Sequence, residues 1–380
     1  LAAVSEITDA IIGRIREFVV LSSGEGEDVE KRVQDVCIDF TTYGVKSSNY
    51  NCAHLAYMYG DDPVIPNDKC LYAADKAKPV TLTLLLQATE ARDDTALLLE
   101  QFAQTIGDGM FTYIVPDNVD EFEQKTLRRQ IGARIGREHA YPVWRSVAAA
   151  EGVKTKLKST RNRANEYMVI DTGVEGLPIT RLQVTKYCFE RYVPFEHSGV
   201  GDLSADRMAE DYLRLFVEKY SVPELSDEVI QRILHSGIVH GFLMSHDQDD
   251  QNDARILISA DQEIRFLNLF YDGELVDKVA ERYMAVVADV LEDKRVAGRK
   301  CVVICDVLVL AEQISQFPGV TVAGSSDILA GAEMLCERWK RGQDTWKEHL
   351  PELRFMLPAG GRYSLLTLID NQSVDAAVAE

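Results

Sequence analysis

Four short segments place a carboxylate, a small hydroxyl residue or glycine where an apolar run gives way to a turn. They are CIDFTTYG, VIDTGVEG, HSGVGD and VAGSSD, with the candidate residues Asp39, Thr41, Thr42, Asp171, Thr172, Gly173, Glu175, Gly199, Gly201, Gly324, Ser325 and Ser326. Carboxylates in such places can hold a hydrated divalent cation, and backbone N–H groups of glycine turns can bind phosphate oxygens. Each segment alone is a weak signal, because glycine and serine mark turns in general. Their order along the chain is more informative.

Strand patterns lead into several of these segments, and helical patterns follow them. The runs VQDVCIDF, MFTYIVPD, EYMVID and KCVVICDVLV predict buried strands. VDEFEQKTLRRQIGARIG, ADRMAEDYLRLFVEKY and SSDILAGAEMLCERWK predict helices, whereas residues 54–75 are loop-like and residues 77–107 predict a long helix. This alternation indicates an α/β protein with mixed sheets and helices packed outside them.

In this order the segments resemble the actin, sugar-kinase and heat-shock-chaperone ATPase superfamily, most closely the ATPase domain of the seventy-kilodalton heat-shock chaperones. VCIDFTTYGVKSS resembles the first phosphate segment, and MVIDTGVEGLPI the second. YPVWRSVAAAEG resembles the connecting helix, EVIQRILHSG the adenosine-contacting helix, and VTVAGSSDILAGAEML the segment under the adenine. The resemblance extends from about Val36 to Leu335.

The resemblance implies an actin-like two-lobe fold, with duplicated mixed sheets flanked by helices and a central cleft. The expected division is a helical extension (1–34), lobe I (35–167) with a shortened insertion, lobe II (168–337) and a C-terminal extension (338–380). In this superfamily the two aspartates organise a hydrated magnesium ion, and the glycine turns bind nucleotide phosphates between the lobes.

Departures from the family pattern are concentrated in the phosphate-binding positions. The glycine expected shortly after Asp39 is missing, and Glu175 brings a carboxylate to where phosphate oxygens would lie. Arg145 aligns with a glutamate that positions water and magnesium. On the adenosine side Arg232 matches in character, but His235 stands where a small hydroxyl residue is expected. We therefore expect no competent ATP hydrolysis.

Two functions fit a degenerate cleft. In the first, the cleft binds a non-nucleotide small molecule, with or without a cofactor-independent cyclase or isomerase reaction, and Trp144 and Arg145 would suit an apolar ligand with a carboxylate. Alternatively, Trp144 packs in a lobe core. His197 and His235 resemble cleft positions, although lone histidines are more often structural. In the second, the chain is a pseudo-ATPase regulatory or scaffold protein that binds nucleotide weakly and signals to a protein partner.

The amino-acid composition limits the classes of binding partner and indicates the cellular compartment. The net charge of −20, from 41 basic and 61 acidic residues, argues against nucleic acid and membrane partners. Seven irregularly spaced cysteines indicate a reducing, cytoplasmic location, and Cys301 and Cys305 are expected to be small buried residues. No metal-binding motif is present, so no metal or cofactor is predicted, with weak binding of Mg–ATP left open. Only residues 336–380 follow the adenine-like segment, which disfavours a peptide-folding chaperone.

Overall fold

The computed structural model describes a discontinuous part of the chain. The described residues are 35–39, 46–47, 57–59, 62–64, 77–79, 109–157, 166–174, 176–186, 188–196, 205–222, 225, 229–230, 233–234, 238–244, 254–260, 263–350, 353–359 and 362–375. The predicted N-terminal extension lies outside them. None of the helices in the described part combines the length and apolarity that crossing a membrane requires.

Lobe I is built on a four-stranded sheet of order β2-β1-β6-β7. The strands of this lobe are β1 (Val36–Asp39), β2 (Lys46–Ser47), β3 (Tyr57–Tyr59), β4 (Asp62–Val64), β5 (Ala77–Pro79), β6 (Phe111–Val115) and β7 (Ala140–Trp144). β1 pairs antiparallel with β2 and parallel with β6, which pairs parallel with β7. β3, β4 and β5 form a separate sheet, so residues expected in a loop and at the start of a helix are short strands instead. Three-residue strands are too short to show a period in the sequence.

Two helices of lobe I lead to the site. α1 (Glu121–Ile135) begins at a capping box, in which the Asp120 carboxylate accepts from the Glu123 N–H at 2.8 Å and the Glu123 carboxylate accepts from the Asp120 N–H at 3.0 Å. α2 (Arg145–Gly152) follows β7 directly, without a loop. The segment expected to be a connecting helix is therefore half strand and half helix.

Lobe II repeats the plan of lobe I. Its strands are β8 (Glu166–Asp171), β9 (Pro178–Val184), β10 (Phe189–Arg191), β11 (Phe195–Glu196), β12 (Ala254–Ala260), β13 (Glu263–Leu269), β14 (Lys300–Ile304) and β15 (Val320–Ala323). Its helices are α3 (Ala205–Lys219), α4 (Ile238–Met244), α5 (Gly273–Glu292), α6 (Leu308–Ile314) and α7 (Ser325–Lys340). In both lobes the first strand is central. In lobe II, β8 pairs antiparallel with β9 on one side and parallel with β14 on the other, and β14 pairs parallel with β15.

The C-terminal extension continues the sheet of lobe II. Its strands are β16 (Trp346–Leu350), β17 (Leu353–Ala359), β18 (Arg362–Ile369) and β19 (Gln372–Asp375). β16 pairs parallel with β10, and β19 pairs antiparallel with β16 at the edge of the sheet. β17 and β18 pair only with each other among the described strands.

Alternate residues of β8 face two different hydrophobic cores. Met168 and Ile170 belong to an outer core, which the lobe II sheet forms with α3, α4 and α5. Tyr167 and Val169 belong to an inner core, which contains residues of both sheets together with α2 and α7. This period of two on a fully buried strand explains why EYMVID is almost continuously apolar.

Cys301 and Cys305 are both buried in the outer core, as the sequence predicts. Burial raises the pKa of the Cys301 thiol to about 11 and that of the Cys305 thiol to about 12. Both therefore act as small apolar residues rather than as nucleophiles.

Helices α2 and α7 approach so closely that glycine is required on each. A Cβ atom on Gly152 would lie 1.9 Å from the carbonyl oxygen of Asp327, and one on Gly331 would lie 1.9 Å from that of Ala148. Because α2 and α7 pack against both sheets, this close contact fixes the position of the first residue of α2, Arg145, relative to both lobes.

Gly331→Ala is expected to lower the free energy of unfolding by about 1–3 kcal/mol, because the two helices must separate to admit the methyl group. Gly241→Ala is the matched control: Gly241 lies in α4, and a Cβ there has nothing within 4 Å. That change should be neutral or stabilising by up to about 1 kcal/mol. Urea unfolding of both variants measures the difference, and equal effects would contradict the proposed close contact.

Candidate functional site

Each lobe contributes two aspartates from corresponding places in its sheet, and three of the four are buried. Asp39 ends β1 and Asp171 ends β8, the first strands of the two lobes. Asp117 follows the end of β6 by two residues, and Asp306 follows the end of β14 by two residues. Asp39, Asp117 and Asp171 are each at most 3% exposed. The duplicated plan therefore brings carboxylates from both lobes towards one another.

Arg145 lies between these carboxylates and is completely buried. Its Nη1 donates to Oδ2 of Asp39 at 2.8 Å and to Oδ1 at 3.1 Å. Its Nε lies 3.0 Å from Oδ2 of Asp171, and its Nη2 lies 3.9 Å from Oδ2 of Asp306. One guanidinium thus joins a carboxylate of lobe I to two carboxylates of lobe II.

The pairing on the lobe II side is ionic without a well-formed hydrogen bond. Among the described residues, Nε and Nη2 of Arg145 and Oδ2 of Asp171 have no hydrogen-bond partner of acceptable geometry, despite the 3.0 Å separation. The pairing with Asp39 is hydrogen-bonded and is the stronger of the two. Arg145 is therefore held firmly by lobe I and electrostatically by lobe II.

Burial and the neighbouring charges have opposite effects on the pKa of Arg145, and also on that of Asp171. Burial disfavours the Arg145 cation, but Asp171, Asp39 and Asp306 outweigh it and raise the pKa of Arg145 above its ordinary value. For Asp171, burial dominates and raises the pKa from 3.8 to about 6, against the opposing effects of Arg145 and the Gly173 N–H. Arg145 is therefore a permanent cation, whereas the pKa of the Asp171 carboxyl lies above its ordinary value.

In the second phosphate-like segment, VIDTGVEG, the backbone N–H of Gly173 is already bonded to a carboxylate of the same segment. The Gly173 N–H donates to Oδ1 of Asp171 at 2.8 Å, and Thr172 Oγ1 donates to the carbonyl of Ile304 at 2.6 Å. A Cβ on Gly173 would lie 2.9 Å from Nη2 of Arg145. Glycine at this position therefore accommodates the guanidinium, and its N–H already has an acceptor.

The glycine-serine segment reaches the cluster through Asp306. Ser325 donates to Oδ1 of Asp306 from its N–H at 2.8 Å and also from its hydroxyl. Gly324 is the N-cap of α7, and Ser326 is exposed on the first turn of that helix. Of this segment, only Ser325 is linked to the aspartate cluster by these contacts.

Trp144, next to Arg145 in sequence, is half-buried and packs against the inner core. Its ring lies under the guanidinium of Arg191, with Cζ 3.7 Å from the ring centroid, and its Nε1 donates to Glu348 at 2.6 Å. Arg191 also donates to Asp117 at 2.8 Å and to Glu348 at 3.1 Å. Since Glu348 lies on β16, this second arginine cluster ties the C-terminal extension to the start of α2.

The sequence did not single out three residues of the site, Asp117, Asp306 and Arg191. A signal was present for the two aspartates, because each follows a buried strand by two residues, in VPD and ICD. Arg191 carried no signal beyond its place on a strand. The other predicted site residues, Thr41, Thr42, Glu175, His197, Gly199, Gly201, Arg232 and His235, lie outside the described residues.

Comparison with solved structures identifies the architecture. MreB5 of Spiroplasma citri bound to ADP aligns over 82% of this chain and 98% of its own, with 13% sequence identity and a TM-score of 0.51. The chain has the actin-like fold. The actin-like architecture predicted from the sequence is thereby confirmed, whereas a special closeness to heat-shock chaperones is not shown by this match.

Two MamK structures also align at 13% identity. A non-polymerising mutant bound to AMPPNP covers 80% of this chain and 98% of its own, with a TM-score of 0.41, and a double helical filament covers 80% and 99%, with a TM-score of 0.49. No family model matches the sequence, and no curated protein is similar to it. At 13% identity the MreB5 match establishes the actin-like fold alone.

Stability should depend on pH through Asp171. Because its folded pKa is raised to about 6 from 3.8, the folded state holds the proton more tightly, and the stabilising effect of that proton is lost as the pH rises from about 4 to about 6. The free energy of unfolding of the wild type minus that of Asp171→Asn should therefore fall by about 3 kcal/mol over this range. Urea titrations at several pH values measure it.

Both proteins must give the same circular dichroism spectrum at pH 7 for this comparison to be valid. A difference that stays constant or rises between pH 4 and pH 6 would contradict the raised pKa.

Proposed function

We propose that the chain is a pseudo-ATPase of the regulatory or scaffold kind, which does not hydrolyse ATP and whose lobes are joined by Arg145 in place of a metal–nucleotide complex. The observation that carries this proposal is the completely buried guanidinium, hydrogen-bonded to Asp39 of lobe I and 3.0 Å from the carboxylate of Asp171 of lobe II. A side chain that supplies this positive charge permanently makes a bound cation unnecessary.

The chemistry of phosphoryl transfer explains why this arrangement opposes hydrolysis. Such enzymes rely on metal ions and backbone donors placed around the transferring phosphate. Here the two aspartates that would organise a hydrated metal are paired with Arg145, and the Gly173 N–H donates to Asp171. A magnesium ion would have to displace the guanidinium, which is a buried cation with three carboxylates around it.

The same contacts favour a scaffold protein over a nucleotide-dependent switch protein. A nucleotide-dependent switch needs an occupant that binds and leaves, because a ligand shifts a conformational equilibrium only while it is bound. Arg145 is part of the chain, so the link it makes between the lobes does not depend on ligand concentration. The lobes would then present one arrangement to a protein partner.

Occupation of the cleft by a small molecule, with or without a cyclase or isomerase reaction, remains a prediction. The segments expected to line the cleft, including residues 40–45 and 197–204, are outside the described residues. The described geometry favours the scaffold.

Replacing the guanidinium tests the proposal directly. Arg145→Gln should lower the free energy of unfolding by about 3–5 kcal/mol, because it leaves buried carboxylates without their counter-charge. Excess magnesium chloride should raise the thermal midpoint of this variant, since the freed carboxylates can hold the cation, and leave the wild type unchanged. Wild-type protein should show no midpoint shift with Mg–ADP or Mg–ATP and no phosphate release.

Two further variants serve as controls. Arg145→Gln combined with Asp39→Asn removes one of the carboxylates, and its midpoint should no longer respond to magnesium. Arg145→Lys keeps a cation, so it should fold even if the glutamine variant does not, and it should remain insensitive to magnesium. Sustained phosphate release from Mg–ATP by the wild type, abolished by Asp171→Asn, would overturn the proposal.

A further inference from the structure

A cavity of about 210 Å³ contains two cysteine thiols at the place where α7 of lobe II packs against β1 and β6 of lobe I. The residues that line it are Asp35, Cys37, Thr112, Glu333, Cys336 and Glu337. The two cysteines are free and buried, whereas the three carboxylate side chains are exposed. The cavity therefore reaches the surface, and a small polar reagent can enter it from the solvent.

The packing of β1 against α7 places the two thiols on facing surfaces. The Sγ atom of Cys37 lies 4.0 Å from the carbonyl oxygen of Leu329. Asp35, two residues earlier and therefore on the same face of the extended chain, forms an ion pair with Lys340. Cys336 is seven residues after Leu329 and four before Lys340, so all three lie on one face of α7. Cys336 thus faces β1 between the two points of contact.

The surroundings of Cys336 contain groups that stabilise a reacting thiolate. Burial raises the pKa of the Cys336 thiol above its ordinary value, and the carboxylates of Asp35 and Glu337 add to this effect. The Thr112 hydroxyl and the Lys340 cation oppose it. Because the thiolate is the nucleophile, reaction at Cys336 is slow near neutral pH and accelerates as the pH rises.

We propose that Cys336 and Cys37 are an oxidation site, which forms a reversible disulfide bond when a hydroperoxide enters this cavity. The Cys336 thiolate attacks one oxygen of hydrogen peroxide and becomes a sulfenic acid, and the hydroxide that leaves takes up a proton to form water. The Cys37 thiol then attacks the sulfenic sulfur, and its proton leaves with the hydroxyl group as a second water. The two thiols are oxidised, and the peroxide bond is reduced.

This bond would join covalently the same elements that Arg145 joins by charge. Cys37 precedes Asp39 by two residues on β1, and Cys336 lies in α7, which packs closely on the helix that begins at Arg145. In a reducing compartment both residues remain thiols, and the bond forms only while an oxidant is present. The inference goes beyond the scaffold function, since it adds a chemical signal that fixes the two lobes to each other.

Mass spectrometry of the whole chain tests the proposal. Reduced wild-type protein treated with a small excess of hydrogen peroxide should lose the mass of two hydrogen atoms. Peptide mapping should show the Cys37 peptide linked to the Cys336 peptide, and dithiothreitol should release both. The thermal midpoint of the oxidised protein should rise by about 5 °C, because the bond closes a long loop in the unfolded chain.

Three variants assign the roles of the two thiols. Cys37→Ser leaves Cys336 without a thiol to attack, so its sulfenic acid should accumulate and react with dimedone. Cys336→Ser should form neither the cross-link nor the dimedone adduct at Cys37. Cys301→Ser is the matched control, because Cys301 is a buried thiol in the outer core outside this cavity, and it should cross-link like the wild type.

The wild-type measurement decides the proposal even if a variant fails to fold. Folded wild type in which Cys37 and Cys336 stay unlinked, or become linked only after unfolding in urea, would overturn it. So would oxidation of Cys336 that proceeds to sulfinic acid without a cross-link. None of these outcomes involves magnesium or Arg145, so each leaves the test of the pseudo-ATPase function separate.

Discussion

A buried arginine cation has to be neutralised where it lies, and this requirement organises the centre of the molecule. Arg145 meets it with carboxylates from both lobes, at distances of 2.8 Å to Asp39 and 3.0 Å to Asp171. Removing two opposite charges from water costs several kcal/mol per ion, and only close, mutually satisfying geometry offsets that cost. The guanidinium and the aspartates are therefore interdependent, and the relative position of the lobes follows from their pairing.

The duplicated sheet explains why the carboxylates are available. In each lobe one aspartate ends the first strand and another follows the next parallel strand by two residues, so four side chains point from corresponding strand ends. Asp117 of lobe I accepts hydrogen bonds from Ser146 of lobe I and from Thr180 and Arg191 of lobe II, while Asp306 of lobe II is bonded by Ser325 and lies 3.9 Å from Arg145. Aspartates that could surround a metal ion thus surround two arginines, Arg145 and Arg191.

The C-terminal strands are part of this network rather than a separate attachment. Glu348 on β16 accepts from both Trp144 and Arg191, and β16 extends the lobe II sheet beside β10. Any movement of α2 that displaced Arg145 would also strain the contacts of Trp144, its neighbour in sequence. The base of the β17–β18 ribbon is consequently coupled to the aspartate cluster, although the ribbon itself extends beyond it.

The sequence alone determined the alternation of strands and helices and the two strand-end aspartates Asp39 and Asp171, because buried strands and helix faces have local periods. The arginine at position 145 stood out only through the resemblance to the ATPase superfamily. The sequence did not reveal the short strands β3 and β4, whose length carries no period, or the roles of Asp117 and Arg191. Only the tertiary structure decided that Arg145 lies between two lobes, since Asp39, Arg145 and Asp171 are far apart along the chain. Long-range electrostatic pairing depends on how the sheets and the α2–α7 contact are assembled, and no local pattern records it.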